Sequence, residues 1–108
     1  MFVGIARYDF LVPGSTSLKD KRQVVRHIVG GLRTKFNAGV AEVDHQELRQ
    51  RGAIAVSCVS ESSFHAKKML MEMERYVRNQ YGIEQLLREA GVSKPPVIPA
   101  LEEPEDDR

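Results

Sequence analysis

The chain has a single cysteine, Cys58, among 108 residues. No apolar run approaches the ~20 residues needed to cross a bilayer. One thiol cannot close an intrachain disulfide, and it cannot build a cysteine-based zinc site within one chain. That pattern fits a reducing compartment. The opening residues Met1-Phe2-Val3-Gly4 lack the basic stretch and apolar core of a secretory signal. A cytoplasmic protein with no membrane partner is therefore expected. Walker-type loops, the dinucleotide fingerprint G-x-G-x-x-G and the nucleophile elbow G-x-S-x-G are all missing, so no reaction and no cofactor are expected.

What is present describes one small globular domain with little core to spare. The formal net charge of +1 conceals an asymmetry. The segment Glu102-Glu103-Pro104-Glu105-Asp106-Asp107-Arg108 carries five acids and one base. The preceding 101 residues hold 15 Lys and Arg against 10 Asp and Glu, a net charge of +5. A basic body with an acidic tail also allows an intramolecular clamp of tail on body.

Alternation from Phe2 to Val12 predicts a strand with Phe2, Gly4, Ala6, Tyr8, Phe10 and Val12 on a packed face. Val3, Ile5, Arg7, Asp9 and Leu11 then form a partly wet face. Pro13-Gly14 ends it in a turn, and Ser17-Leu18-Lys19-Asp20 has the form of a helix N-cap. A helix from Leu18 to Phe36 places Leu18, Val24, Val25, Ile28, Val29, Leu32 and Phe36 within an arc of roughly 140°. Gly30-Gly31 inside it costs about 1 kcal/mol per glycine relative to alanine. Either the helix is weak there or something packs against its backbone.

Val40–Gln46 reads as a second strand, with Glu42 and Asp44 on one side and His45 on the other. Ala53–Ser60 reads as a central strand buried on both faces. A second helix follows from Phe64 to about Tyr81, stopped by Gly82. Ile83–Ala90 reads as a further short helix. The expected architecture is an α+β, ferredoxin-like two-layer sandwich of order βαββα, its fourth strand absent or replaced by a helix and tail. Residues 1–91 make the domain, and 92–108 a Pro-rich, acidic and disordered tail.

Certain stretches resemble the YlxP-like family of small bacterial proteins. They are Val3-Gly4-Ile5, Pro13-Gly14-Ser15-Thr16-Ser17-Leu18-Lys19-Asp20-Lys21-Arg22, Phe36-Asn37 and Ala41-Glu42-Val43-Asp44-His45-Gln46. The resemblance covers roughly residues 1–80. It implies a ferredoxin-like fold and, because such proteins are often encoded near translation and ribosome-maturation factors, a role around RNA or the ribosome. It brings no catalytic residues. Members of the family usually close the sheet with a fourth strand, whereas here a helix-like segment follows Tyr81.

The candidate site is a basic stripe. Lys19, Arg22, Arg26 and Arg33 fall within an arc of about 60° on the first helix. Clustered cations attract phosphates and release counterions. The competing reading is a solvated helix face. Lys19 and Lys21 sit at the positive end of the helix dipole, where a cation is mildly unfavourable and a phosphate is welcome. The wet sheet face carries no aromatics for stacking bases, which directs contact to the helix and to the nucleic-acid backbone. Three functions compete. The first is a non-enzymatic RNA- or ribosome-associated accessory protein. The second is a homo-oligomer formed through open strand edges. The third is a small enzyme using Glu42, Asp44 and His45, which are expected on opposite strand faces. Cys58 is expected to be a buried small residue.

Overall fold

The computed structural model describes residues 1–95, except for the side chain of Gln85. Six elements follow in the order βαββαβ: β1 (Phe2–Leu11), α1 (Leu18–Lys35), β2 (Gly39–Asp44), β3 (Arg51–Ser60), α2 (Ser63–Arg78) and β4 (Glu84–Ser93). The strands form one antiparallel sheet in the order β2-β3-β1-β4. Helix α1 lies against β2 and β3, and α2 against β1, β3 and β4. Both helices cover the same face.

The alternation in β1 is realised. Ala6, Tyr8, Phe10 and Val12 are buried in the core with Val25, Ile28, Leu32, Ile54, Val56, Met73 and Val77. The Tyr8 hydroxyl donates to the Leu70 carbonyl at 2.9 Å, which satisfies a polar group that burial would otherwise strand. Each helix begins on a serine cap. Ser17 Oγ accepts from Asp20 N, and Ser62 Oγ accepts from His65 N. The two glycines of α1 differ. A Cβ at Gly31 would overlap the Tyr76 hydroxyl, so the helices approach closely there, whereas Gly30 faces open space. Tyr76 is held edge-on against Phe36, at 6.2 Å between centroids.

The expected order βαββα, with the fourth strand absent or replaced by a helix and tail, is corrected. The segment expected to be helical forms most of β4, which pairs with β1 from Val3↔Ser93 to Leu11↔Glu84. Ile83, Leu86, Leu87 and Ala90 have helical spacing, and their neighbours are good helix formers. Pairing prevails because β1 would otherwise leave an edge of unpaired amides and carbonyls beside a hydrophobic core. A register shift between Asp9 and Leu11 absorbs the mismatch. Leu86 then packs on the core, while Leu87 projects to the other face and stays 67% exposed. Helix α2 ends at Arg78, and Gly82 takes φ +85° in the turn into β4. β3 is buried along its helix side; on the other side Ala53 is buried too, whereas Ser57 and Val59 are exposed. Strand pairing reaches Ser93, two residues beyond the expected domain boundary. The rest of the expected tail, from residue 96 on, lies outside the described residues.

Candidate anion-binding groove

Arg22, Arg26 and Arg33 line one groove of about 450 Å³ between α1 and β2, together with Val25, Val29, Gly30, Glu42 and Gln46. Positions 22, 26, 29, 30 and 33 share one helix face by their spacing. All three arginines are exposed. Among the described residues none of them is in an ion pair. Arg33 donates to the Val40 carbonyl at 2.7 Å, which fixes its guanidinium at the rim beside β2. Lys19 is exposed on the same helix but does not line the groove. The stripe read from the sequence thus divides into three arginines on a groove and one lysine outside it.

Lys21 forms a second feature that counting charges on the helix does not reveal. Its side chain is 0% exposed. The ammonium donates to the carbonyls of His45 at 2.8 Å and Gln46 at 3.2 Å, and lies 3.8 Å from Glu42 Oε2. Lys21 sits in the middle of the apolar arc formed by Leu18, Val25, Ile28 and Leu32. That signal was available: a lysine on the buried stripe must carry its charge to buried acceptors. It ties the end of β2 to the first turns of α1 and neutralises Glu42 at the groove. The three arginines are left as excess charge.

Glu42 and Asp44 do not share a face, contrary to expectation. A register shift between them turns Asp44 to the open side of the sheet, while Glu42 stays on the helix side. His45 has φ +62°, a left-handed conformation in which histidine is over-represented. Its amide donates to Asp44 Oδ1 at 2.8 Å. The imidazole comes 3.7 Å from Asp44 and 4.0 Å from Asp9, so Asp44 and His45 lie together rather than on opposite faces. Arg7 completes this cluster, donating to Asp9 at 3.2 Å and Asp44 at 3.0 Å. The His45 amide first, and Arg7 second, lower the pKa of the Asp44 carboxyl below its ordinary value. Bonds to Asp44 and then Asp9 raise that of the Arg7 guanidinium. The cluster is a cross-strand ion-pair network, and the trio Glu42, Asp44 and His45 is not assembled. Among the described residues no three His, Cys, Asp or Glu side chains converge to hold a metal ion, and no helix is long and apolar enough to cross a membrane. Burial pushes up the pKa of both the Cys58 thiol and the Tyr8 hydroxyl, so neither is an activated nucleophile.

Residues 3–89 match the model of a protein family of unknown function, DUF503, and the chain belongs to that family. It is 27% identical over 85 residues to the uncharacterized protein YlxP of Bacillus subtilis (strain 168), covering 79% of this chain and 92% of that one. Among solved structures, a de novo designed protein with a ferredoxin fold superposes with a TM-score of 0.52 at 9% identity, over 100% of this chain and 99% of that one. SnoaB, a cofactor-independent oxygenase from Streptomyces nogalater, superposes with a TM-score of 0.48 at 8% identity, over 90% and 95% of the two chains. Nothing about the chemistry of this chain follows from that likeness.

Proposed function

We propose that this DUF503 member is a non-enzymatic, cytoplasmic accessory protein that binds RNA, alone or within the ribosome, through the groove beside α1. One observation carries the reading: Arg22, Arg26 and Arg33 stand along a single groove without carboxylate partners among the described residues. A solvated helix face usually interleaves its charges or pairs them. Here the nearby acid, Glu42, is matched by the buried Lys21. From Arg22 to Arg33 is about 16 Å along the helix axis, long enough to follow several phosphates of one strand. Guanidinium groups can grip phosphate oxygens with two hydrogen bonds each.

The contact is to the backbone rather than to bases. Tyr8 and Phe10 are buried under the helices, and the open sheet face offers Ile5, Ala55 and Ser57 where a stacking platform would need aromatic rings. Lys19, one turn before Arg22, extends the positive field without lining the groove.

Titrating a single-stranded RNA oligomer at several salt concentrations tests the reading. Three phosphate contacts predict a slope of log K on log salt of about −2. Changing Arg22, Arg26 and Arg33 together to Glu should weaken binding at least about a hundredfold. A flat salt response, or undiminished binding by the triple variant, overturns the proposal. The rival reading, a homo-oligomeric module with no nucleic-acid role, is favoured by a different surface, the uncovered face of the sheet.

A further inference from the structure

Among the described residues no element covers the second face of the four-stranded sheet, and its side chains fall into transverse rows fixed by the strand register. The first row is Val59, Val3 and Ser93. The second is Gly39, Ser57, Ile5 and Gly91, and the third is Ala41, Ala55, Arg7 and Glu89. Asp44, Ala53, Asp9 and Leu87 follow in the fourth. Two properties stand out. Large apolar side chains are exposed, with Ile5 at 60%, Val59 at 65% and Leu87 at 67%. Small residues lie beside them, so that Ile5 rises as a ridge next to a hollow formed by Gly39, Ala41, Ala55 and Ser57. The depression on this face has a volume of about 890 Å³.

We infer that two copies of this chain pair through their open sheet faces. A ridge and a matching hollow on the same patch are what a two-fold, isologous interface requires, because each copy offers its ridge to the other's hollow. Ile5 of one copy fills the Ala41–Ala55–Ser57 hollow of the second, and the reverse contact forms by symmetry. The strands contribute 36 residues to the sheet. At ~3.3 Å per residue and ~4.8 Å between strands they cover roughly 570 Å² in plan. Side-chain relief brings that toward the ~800 Å² per partner of a stable interface. The sheet packing would be like that of a β-sandwich, two faces ~10 Å apart.

The charges select the same occupant. Arg7 is already engaged by Asp9 and Asp44. With Glu89, and with Arg51 and Glu84 on either side of Leu11, the face carries two bases and four acids, so a polyanion is repelled from it. This surface is separate from the arginine groove, and the inference does not rest on RNA binding. Pairing the open faces would leave both α1 grooves outward, one on each side of the assembly.

Sedimentation equilibrium of the full chain, over about a hundredfold range of concentration, decides the matter. The expected species has twice the 12.2 kDa mass of one chain. Ile5→Lys with Val59→Lys buries four unpaired charges per pair of chains and should weaken association at least about a hundredfold. Ile5→Thr with Val59→Thr keeps β-branched side chains in both strands. It should also weaken association, with an unchanged far-UV spectrum marking an intact fold. A full-length chain that stays monomeric overturns the inference. If deleting residues 96–108 then produces dimers, the occupant is the chain's own C-terminal segment, which overturns it equally. Dimers that survive both double variants place the interface elsewhere and overturn it as well.

Discussion

The two faces of the sheet treat their charges in opposite ways. On the helix side, Arg22, Arg26 and Arg33 line a groove and have no ion pairs among the described residues. On the open side, Arg7 is bound by two carboxylates, and the apolar ridge and small-residue hollow share the face with Glu89 and Arg51. Unspent positive charge suits a polyanion. Paired charge on an apolar ground suits burial, because Arg7, Asp9 and Asp44 enter the interface already partnered. Lys21 stands on the boundary: it belongs to the helix side, yet its ammonium holds the carbonyls of His45 and Gln46, where the chain leaves β2 beside the open-face cluster.

Breaking that link should have the largest effect on stability. Lys21→Met keeps the volume but strands Glu42 and two carbonyls, and should cost about 3 kcal/mol, measured by urea unfolding. The variant should also loosen the turn after β2, seen as faster amide exchange. An unchanged midpoint would mean that Lys21 is not what joins the two faces.

A smaller effect comes from the adjacent glycines, which should respond with opposite signs. Gly31→Ala drives a methyl into the Tyr76 hydroxyl and should destabilise by about 1–2 kcal/mol. Gly30→Ala meets open space and should stabilise by up to about 1 kcal/mol. Because Gly30 lines the groove, the same variant asks whether a ligand approaches the helix backbone there. Weaker RNA binding by a more stable protein would say that it does.

The smallest effect expected is on the acid limb of stability. The pKa of the Asp44 carboxyl is lowered in the folded chain. Its contribution is therefore complete above the ordinary value of 3.8 and is lost as pH falls through the folded value. The Asp20 carboxyl behaves likewise, held by the Thr16 hydroxyl and amide. Asp44→Asn should flatten part of the fall in thermal midpoint below about pH 4 without touching RNA binding. A matching change in RNA binding would show that the two faces are coupled.

Much was legible in the chain itself. The alternation in β1, both helix bodies, the Ser17 cap and the basic helix face follow from local periodicity and capping chemistry. The glycine pair signalled either a weak helix or a close approach, and Gly31 alone has the close approach. The single cysteine rules out a disulfide within these 108 residues. Lys21 was legible in principle, being a lysine at the centre of an apolar arc.

Tertiary structure alone decided the rest. Glu84–Ser93 is a strand because β1 needed an edge partner, a demand located some eighty residues away in the chain and invisible to local propensity. The register shift in β2 and the left-handed turn at His45 placed Asp44 and His45 together and Glu42 apart, reversing what simple alternation implies. Packing against β2 divided four helix cations into three at a groove and one outside it. Local pattern sets which way a side chain leaves its own element. Only the pairing of elements determines what it meets there.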